Sequence, residues 1–230
     1  TWAKTIFGPF PATIAQTSDG GYVFAGLNFT ETFPEMVIGK LSAAGDLLWS
    51  VALGSSNEWG SVQPTADGGF IVARSFATRE LGIMKLTSTG AVSWTKSLPL
   101  TTTSSTIADN LVVQQTCDGG YILAGAMYGP QESGIGQILS KWEQDGSLSW
   151  ASFVGTPGSY GFVGSVQQTS DGGYMTTGTW NDDISISKWN SLGRIASDCA
   201  SYLDLTAFDV YVTAEEFSLT AVDVSLSSAP

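Results

Sequence analysis

The chain has 230 residues, 43% hydrophobic and only 13% charged, with a formal net charge of −12 and no histidine. That is enough for one large or two small domains with a core, and the acidity excludes nucleic acid and anionic membrane surfaces, whose binding needs clustered Lys and Arg. Without His there is no Ser-His-Asp or Cys-His catalysis within the chain, and two cysteines leave too few ligands for a closed zinc site.

With so few charges, the surface must be largely Ser, Thr, Gly, Asn and Gln, as in many extracellular β proteins. No apolar run reaches the roughly 18 residues of a membrane-spanning helix. Short runs of Val, Ile, Thr, Tyr, Phe and Trp alternate with Gly, Asp, Asn and Ser clusters, which predicts strands nearly throughout.

The chain opens on TWAKTIFG (1–8), which reads as a strand and shows no signal peptide; a processed N-terminus or a trimmed chain would look alike. Next comes the first of four related stretches: QTSDGGYVFAG (16–26), PTADGGFIVAR (64–74), QTCDGGYILAG (115–125) and QTSDGGYMTTG (168–178). Asp tolerates turn dihedrals and Gly supplies positive φ, so each Asp-Gly-Gly predicts the turn of a hairpin, strands a and b. A second hairpin follows in each copy, strands c and d. It is marked by Lys40, Lys85, Lys141 and Lys188, then by Gly45, Gly90, Gly146 and Gly193, then by Trp49, Trp94 and Trp150; Ser197 stands where a fourth Trp would fall.

The period is thus about 45 to 55 residues with four strands per repeat, the pattern of a propeller, solenoid or array. The prediction is an all-β fold: a β-propeller of four blades, each of four antiparallel strands, over residues 1–202. Residues 2–7 resemble a d strand, with Trp2 at the Trp position. They are expected to complete the fourth blade and close the ring, unless the chain is a cut from a longer array.

Residues 203–230 do not fit the repeat. LTAFDVYV (205–212) and LTAVDVSL (219–226) predict two further strands, apolar at Leu205, Phe208, Val210 and Val212 and again at Leu219, Val222, Val224 and Leu226. Strands with unpaired apolar faces invite association. They either fold back on their own chain or add to a sheet edge of a neighbouring subunit, the strand-addition mode that can build filaments.

Few residues carry chemistry. Asp19, Asp67, Asp118 and Asp171 are one carboxylate per repeat, which suits turns rather than a calcium site with its six or more converging oxygens. The four lysines read as structural, their ammonium groups meeting a turn carboxylate or a carbonyl. Trp59 and Tyr160 break the repeat pattern in d–a connections and are candidates for stacking on sugar rings. Asn28 begins the only Asn-x-Ser/Thr sequon, a candidate glycosylation site. Cys117 and Cys199 form a disulfide, stay unpaired, or pair between chains; spacing does not decide. A glycosidase would need two carboxylates about 5–9 Å apart, and nothing brings together Glu31, Glu35, Glu58, Glu132, Asp182 or Asp183. The T-x-D-G-G turn has a partial likeness to the hairpin boxes of sialidase propellers, but the arginine cluster of those enzymes is lacking.

QTSDGGYVFAG followed by VIGKLSAAGDLLWSVAL (37–53) resembles a widespread repeat of secreted prokaryotic β-propellers. The match runs from residue 1 to about residue 202. The resemblance implies an extracellular or cell-surface scaffold, often joined to other modules, with no common catalytic residues. The expected function is a non-enzymatic structural subunit of an oligomer or filament that pairs through its C-terminal strands and needs no cofactor. The alternatives are a glycan- or ligand-binding surface module and, further off, a sialidase-like glycoside hydrolase.

Overall fold

A computed structural model of the chain describes residues 2–7, 10–29, 34–56, 59–76, 80–98, 107–128, 134–155, 159–181, 183–195, 208–209, 215–216 and 220–223. These residues are all-β, with no helix among them, and they form several antiparallel sheets.

After β1 (Lys4–Phe7), the first meander, unit 1, runs through β2 (Phe10–Gln16), β3 (Tyr22–Phe29), β4 (Pro34–Leu41) and β5 (Leu47–Ser55). Unit 2 repeats it with β6 (Ser61–Pro64), β7 (Phe70–Ser75), β8 (Leu81–Leu86) and β9 (Val92–Leu98). Unit 3 comprises β10 (Ile107–Gln115), β11 (Tyr121–Tyr128), β12 (Gly134–Trp142) and β13 (Leu148–Val154). Unit 4 comprises β14 (Ser159–Gln168), β15 (Tyr174–Trp180) and β16 (Asp183–Trp189). It joins unit 3 through a short parallel step, Gly134 opposite Ser159 and Ile135 opposite Tyr160.

Both kinds of hairpin turn work as expected from their glycines. Gly20, Gly68, Gly119 and Gly172 in the a–b turns, and Gly45, Gly90, Gly146 and Gly193 in the c–d turns, all lie at φ between 69° and 85°. A side chain there would be strained, which is why glycine recurs. In units 1 to 3 the c–d pairing shifts register just after the lysine, which stands opposite the Trp: Lys40 opposite Trp49, Lys85 opposite Trp94 and Lys141 opposite Trp150. The extra residue sharpens the local twist.

Side chains on a strand alternate between faces, so each unit presents one apolar face to its predecessor and one to its successor. The core is accordingly split into three clusters, one at each junction. Val23, Ala25, Met36 and Ile38 of unit 1 meet Val62, Phe70, Val72 and Met84 of unit 2. Ile71, Leu81 and Ile83 of unit 2 meet Leu111, Tyr121, Leu123 and Trp142 of unit 3. Ile122, Ala124 and Leu139 of unit 3 meet Val163, Tyr174 and Trp189 of unit 4.

Three short strands from the tail complete the description. Two-residue β17 (Phe208–Asp209) pairs with β9, two-residue β18 (Glu215–Glu216) pairs with β5, and β19 (Thr220–Asp223) pairs with β1. The tail therefore walks backwards along the outer d edges of units 2 and 1 and ends on the N-terminal strand. One expectation meets a different finding here: the described ladder partner of β1 is β19, where the fourth unit's c strand was expected. At residues 208–209, 215–216 and 220–223 the tail pairs with strands of its own chain, as in the fold-back alternative. Leu205, Val210, Val212, Leu219, Val224 and Leu226 lie outside the described residues.

Candidate functional site

The repeated turns hold the densest polar chemistry. In the first, Asp19 Oδ1 accepts from Thr17 Oγ1 at 2.5 Å, from the Gly21 amide at 2.9 Å and from Lys40 Nζ at 3.0 Å. Lys40 Nζ also donates to Thr17 Oγ1 at 2.8 Å and to the Leu41 carbonyl at 3.2 Å, so all three ammonium hydrogens are used. The same carboxylate–ammonium pair recurs as Asp67–Lys85, Asp118–Lys141 and Asp171–Lys188, at 3.0, 3.1 and 2.8 Å. The second glycine of each turn is needed for space. A Cβ on Gly21, Gly69, Gly120 or Gly173 would stand 2.3–2.5 Å from both a backbone carbonyl oxygen and the lysine Nζ.

These donors hold the carboxylates ionised. Hydrogen bonds from Thr17, Gly21 and Lys40 keep Asp19 well below the usual carboxylate range. Burial opposes the shift at Asp67, but Thr65, Lys85 and Gly69 still lower it to about 2. Asp118 is lowered in the same way against its burial, and Asp171 chiefly by Lys188. A carboxylate this acidic is a poor proton acceptor at neutral pH, so the turn clusters act as cross-links. The lysine stems are 6–8% exposed in units 1 to 3 and 45% exposed in unit 4.

A second repeated device joins neighbours. The d-strand Trp of one unit lies across the c–d turn glycine of the next and meets its first b-strand aromatic edge-on or tilted. Trp49 covers Gly90 and stands 5.6 Å from Phe70; Trp94 covers Gly146 and stands 5.9 Å from Tyr121; Trp150 covers Gly193 and stands 5.7 Å from Tyr174. Trp2 occupies the same seat on unit 1, over Gly45 and 5.7 Å from Tyr22, and its Nε1 donates to the Ala43 carbonyl at 3.0 Å.

The glycan-stacking candidates are placed apart. Trp59 is half-buried and lines a cavity of about 330 Å³ with Thr13, Gly60, Asn110, Leu111 and Gly164; its carbonyl accepts from the Leu111 amide at 3.1 Å. Asn110 holds a φ of 48°, uncommon for a residue other than glycine. Tyr160 is 61% exposed, is not among the residues lining that cavity, and exchanges hydrogen bonds with Asn181 through its backbone. Asn28 is half-buried on β3 opposite Glu35, while Thr30 of its sequon lies outside the described residues. Cys117 is exposed in the third Asp-Gly-Gly turn; Cys199 lies outside the described residues, as do Glu31, Glu58, Glu132 and Asp182. Among the described residues no three acidic or cysteine side chains converge in a way that could hold a metal ion.

One group was missed by sequence reasoning. Arg74 stands where the other b strands have Gly26, Gly125 and Gly178, and it is almost wholly buried. Its guanidinium donates to the carbonyls of Leu53, Gly54, Ser55 and Ser75 and stacks over the Phe76 ring at 4.9 Å. Burial lowers its pKa to about 10, so it stays charged at neutral pH. The signal was the break in the Gly column.

Comparison with protein-family models and with curated proteins gives no match.

Proposed function

We propose that the chain is a non-enzymatic structural protein of the cell surface or extracellular space, whose four meanders are blades of a β-propeller used as a building block in a larger assembly. The observation that carries this reading is an apolar face with no cover. Ile184 and Ile186 on β16 are 86% and 65% exposed, whereas their counterparts Met36 and Ile38, Leu81 and Ile83, and Gln137 and Leu139 are all buried beneath a following unit. An exposed apolar patch on a regular strand surface marks an association site. The extracellular placement rests on the likeness of the repeat to secreted propellers. In this reading the tail seals outer sheet edges in cis, and assembly proceeds through the faces of the units.

Light scattering after size separation, across a wide range of protein concentration, tests it. Mass should rise with concentration toward defined multiples of the chain. A single monomeric mass throughout contradicts the assembly role.

The cavity beside Trp59 supports a second reading, a small glycan held against an indole face. Binding on a glycan array that is lost in Trp59→Ala and kept in Tyr160→Ala would favour it. Turnover of glycosides is not expected.

A further inference from the structure

Resting on the assembly reading above, the geometry points to a specific partner: the exposed face of unit 4 receives the leading face of unit 1 of a second copy, head to tail. The three junctions inside the chain are the template.

At each junction the trailing face supplies the pair two and four residues before the lysine, Met36 and Ile38, Leu81 and Ile83, then Gln137 and Leu139, all buried; in unit 4 the pair is Ile184 and Ile186. The leading face supplies an a-strand aliphatic: Val62, Val113 and Val166 in units 2 to 4, each packed into the junction cluster. Val62 and Val113 are 0% and 4% exposed, yet their counterpart in unit 1, Ile14, is 63% exposed. Both halves of one more junction are therefore present in the chain and uncovered.

Polar groups follow the same pattern. Gln115 Oε1 accepts from the Ala66 amide at 2.7 Å, and Gln168 Oε1 from the Cys117 amide at 2.8 Å, each glutamine reaching back to the turn of the preceding unit. In unit 1 the corresponding side chain is Gln16, and in unit 4 the corresponding turn residue is Ser170; both are exposed. The indole seat fits as well. In the sequence repeat Ser197 takes the place of the Trp that each earlier unit presents to its successor. No indole is required of it, since Trp2 already fills the seat on unit 1.

A contact within one chain carries no association cost, whereas one between chains does. The two faces nevertheless stay uncovered in the single chain, which favours a second copy over closure on itself. The contact is heterologous, so it propagates until the accumulated rotation closes a ring, and otherwise continues as a filament.

The test uses the full chain and two variants altered only at exposed positions: Ile14→Glu, and the double variant Ile184→Glu with Ile186→Glu. The wild type should form multimers by sedimentation velocity. Each variant alone should remain monomeric. Mixed one to one, they should form a heterodimer and stop there, because the pair retains one intact trailing face and one intact leading face. Circular dichroism and thermal melts matching the wild type show that each variant is folded. If Ile14→Glu still self-associates while the double variant does not, the contact is face-to-same-face and the head-to-tail assignment is overturned. If the wild type multimerises and neither variant weakens it by at least tenfold in dissociation constant, assembly stands but uses another surface. A wild type that is monomeric at every concentration removes both this assignment and the assembly reading.

Discussion

Each turn lysine is worth more where the next unit covers it. Lys141 has 6% of its side chain exposed, donates to Asp118 Oδ1 at 3.2 Å and lies 3.1 Å from the other carboxylate oxygen. Replacing it with Met keeps the stem but strands a carboxylate and the Trp142 carbonyl with no ammonium donor. The expected cost is on the order of 2 kcal/mol, read as a lower urea midpoint at unchanged slope. Lys188→Met breaks the same contacts at a site where water reaches 45% of the side chain; solvent screens that pair, and its loss should be the smaller of the two. Equal losses would show that coverage by a neighbouring unit does not set the strength of the link. Arg74 differs in kind, a buried charge satisfied by carbonyl oxygens of unit 1's last strand. It ties the b strand of unit 2 to the end of β5, a link the repeat consensus does not contain.

Among the elements, the tail strands have the clearest task. β5 and β9 are the outermost strands of their meanders, and an outer strand presents unpaired N–H and C=O groups. Glu215 and Glu216 lie opposite Ala52 and Val51, and Phe208 and Asp209 lie opposite Ser97 and Lys96. Removing residues 203–230 should leave the meanders folded, with β circular dichroism and a cooperative melt, while amide exchange accelerates in β1, β5 and β9. Larger, ill-defined species should also appear on sizing as bare edges pair. Unchanged exchange at residues 51, 52, 96 and 97 would remove the edge-sealing role. Because β17 and β18 are two residues each, this cover is weak and its hydrogen bonds should be the first to open.

Over the whole molecule, the four turn carboxylates make stability depend on acid. Their folded pKa values lie below the ordinary 3.8, with Asp67 at about 2. A depressed carboxylate stabilises the fold fully above its unfolded pKa, and that contribution is lost as pH falls through the folded value. The melting temperature should be level above about pH 5 and fall between about pH 4 and pH 2. The falling net negative charge in this window relieves self-repulsion and acts the other way. Asp67→Asn separates the two effects: it should melt lower than the wild type at neutral pH and show a shallower decline below pH 4. Parallel profiles would mean that the turn carboxylates do not govern the acid response. Much of this architecture was legible beforehand, because turns and alternation are local. Asp-Gly-Gly demands positive φ within a few residues, and a lysine 17 to 23 positions beyond each Asp marks the strand that returns beside it. The all-β class, the paired hairpins and the structural lysines follow from such short-range constraints. Where β1 and the tail pair is another matter, since any exposed edge satisfies a strand's backbone equally and only the three-dimensional arrangement decides which edge is near. The same holds for Ile14, Ile184 and Ile186. In sequence they match residues that the other repeats pack into their junctions; they are exposed because they stand at the two ends of the series, where no described unit of the same chain covers them.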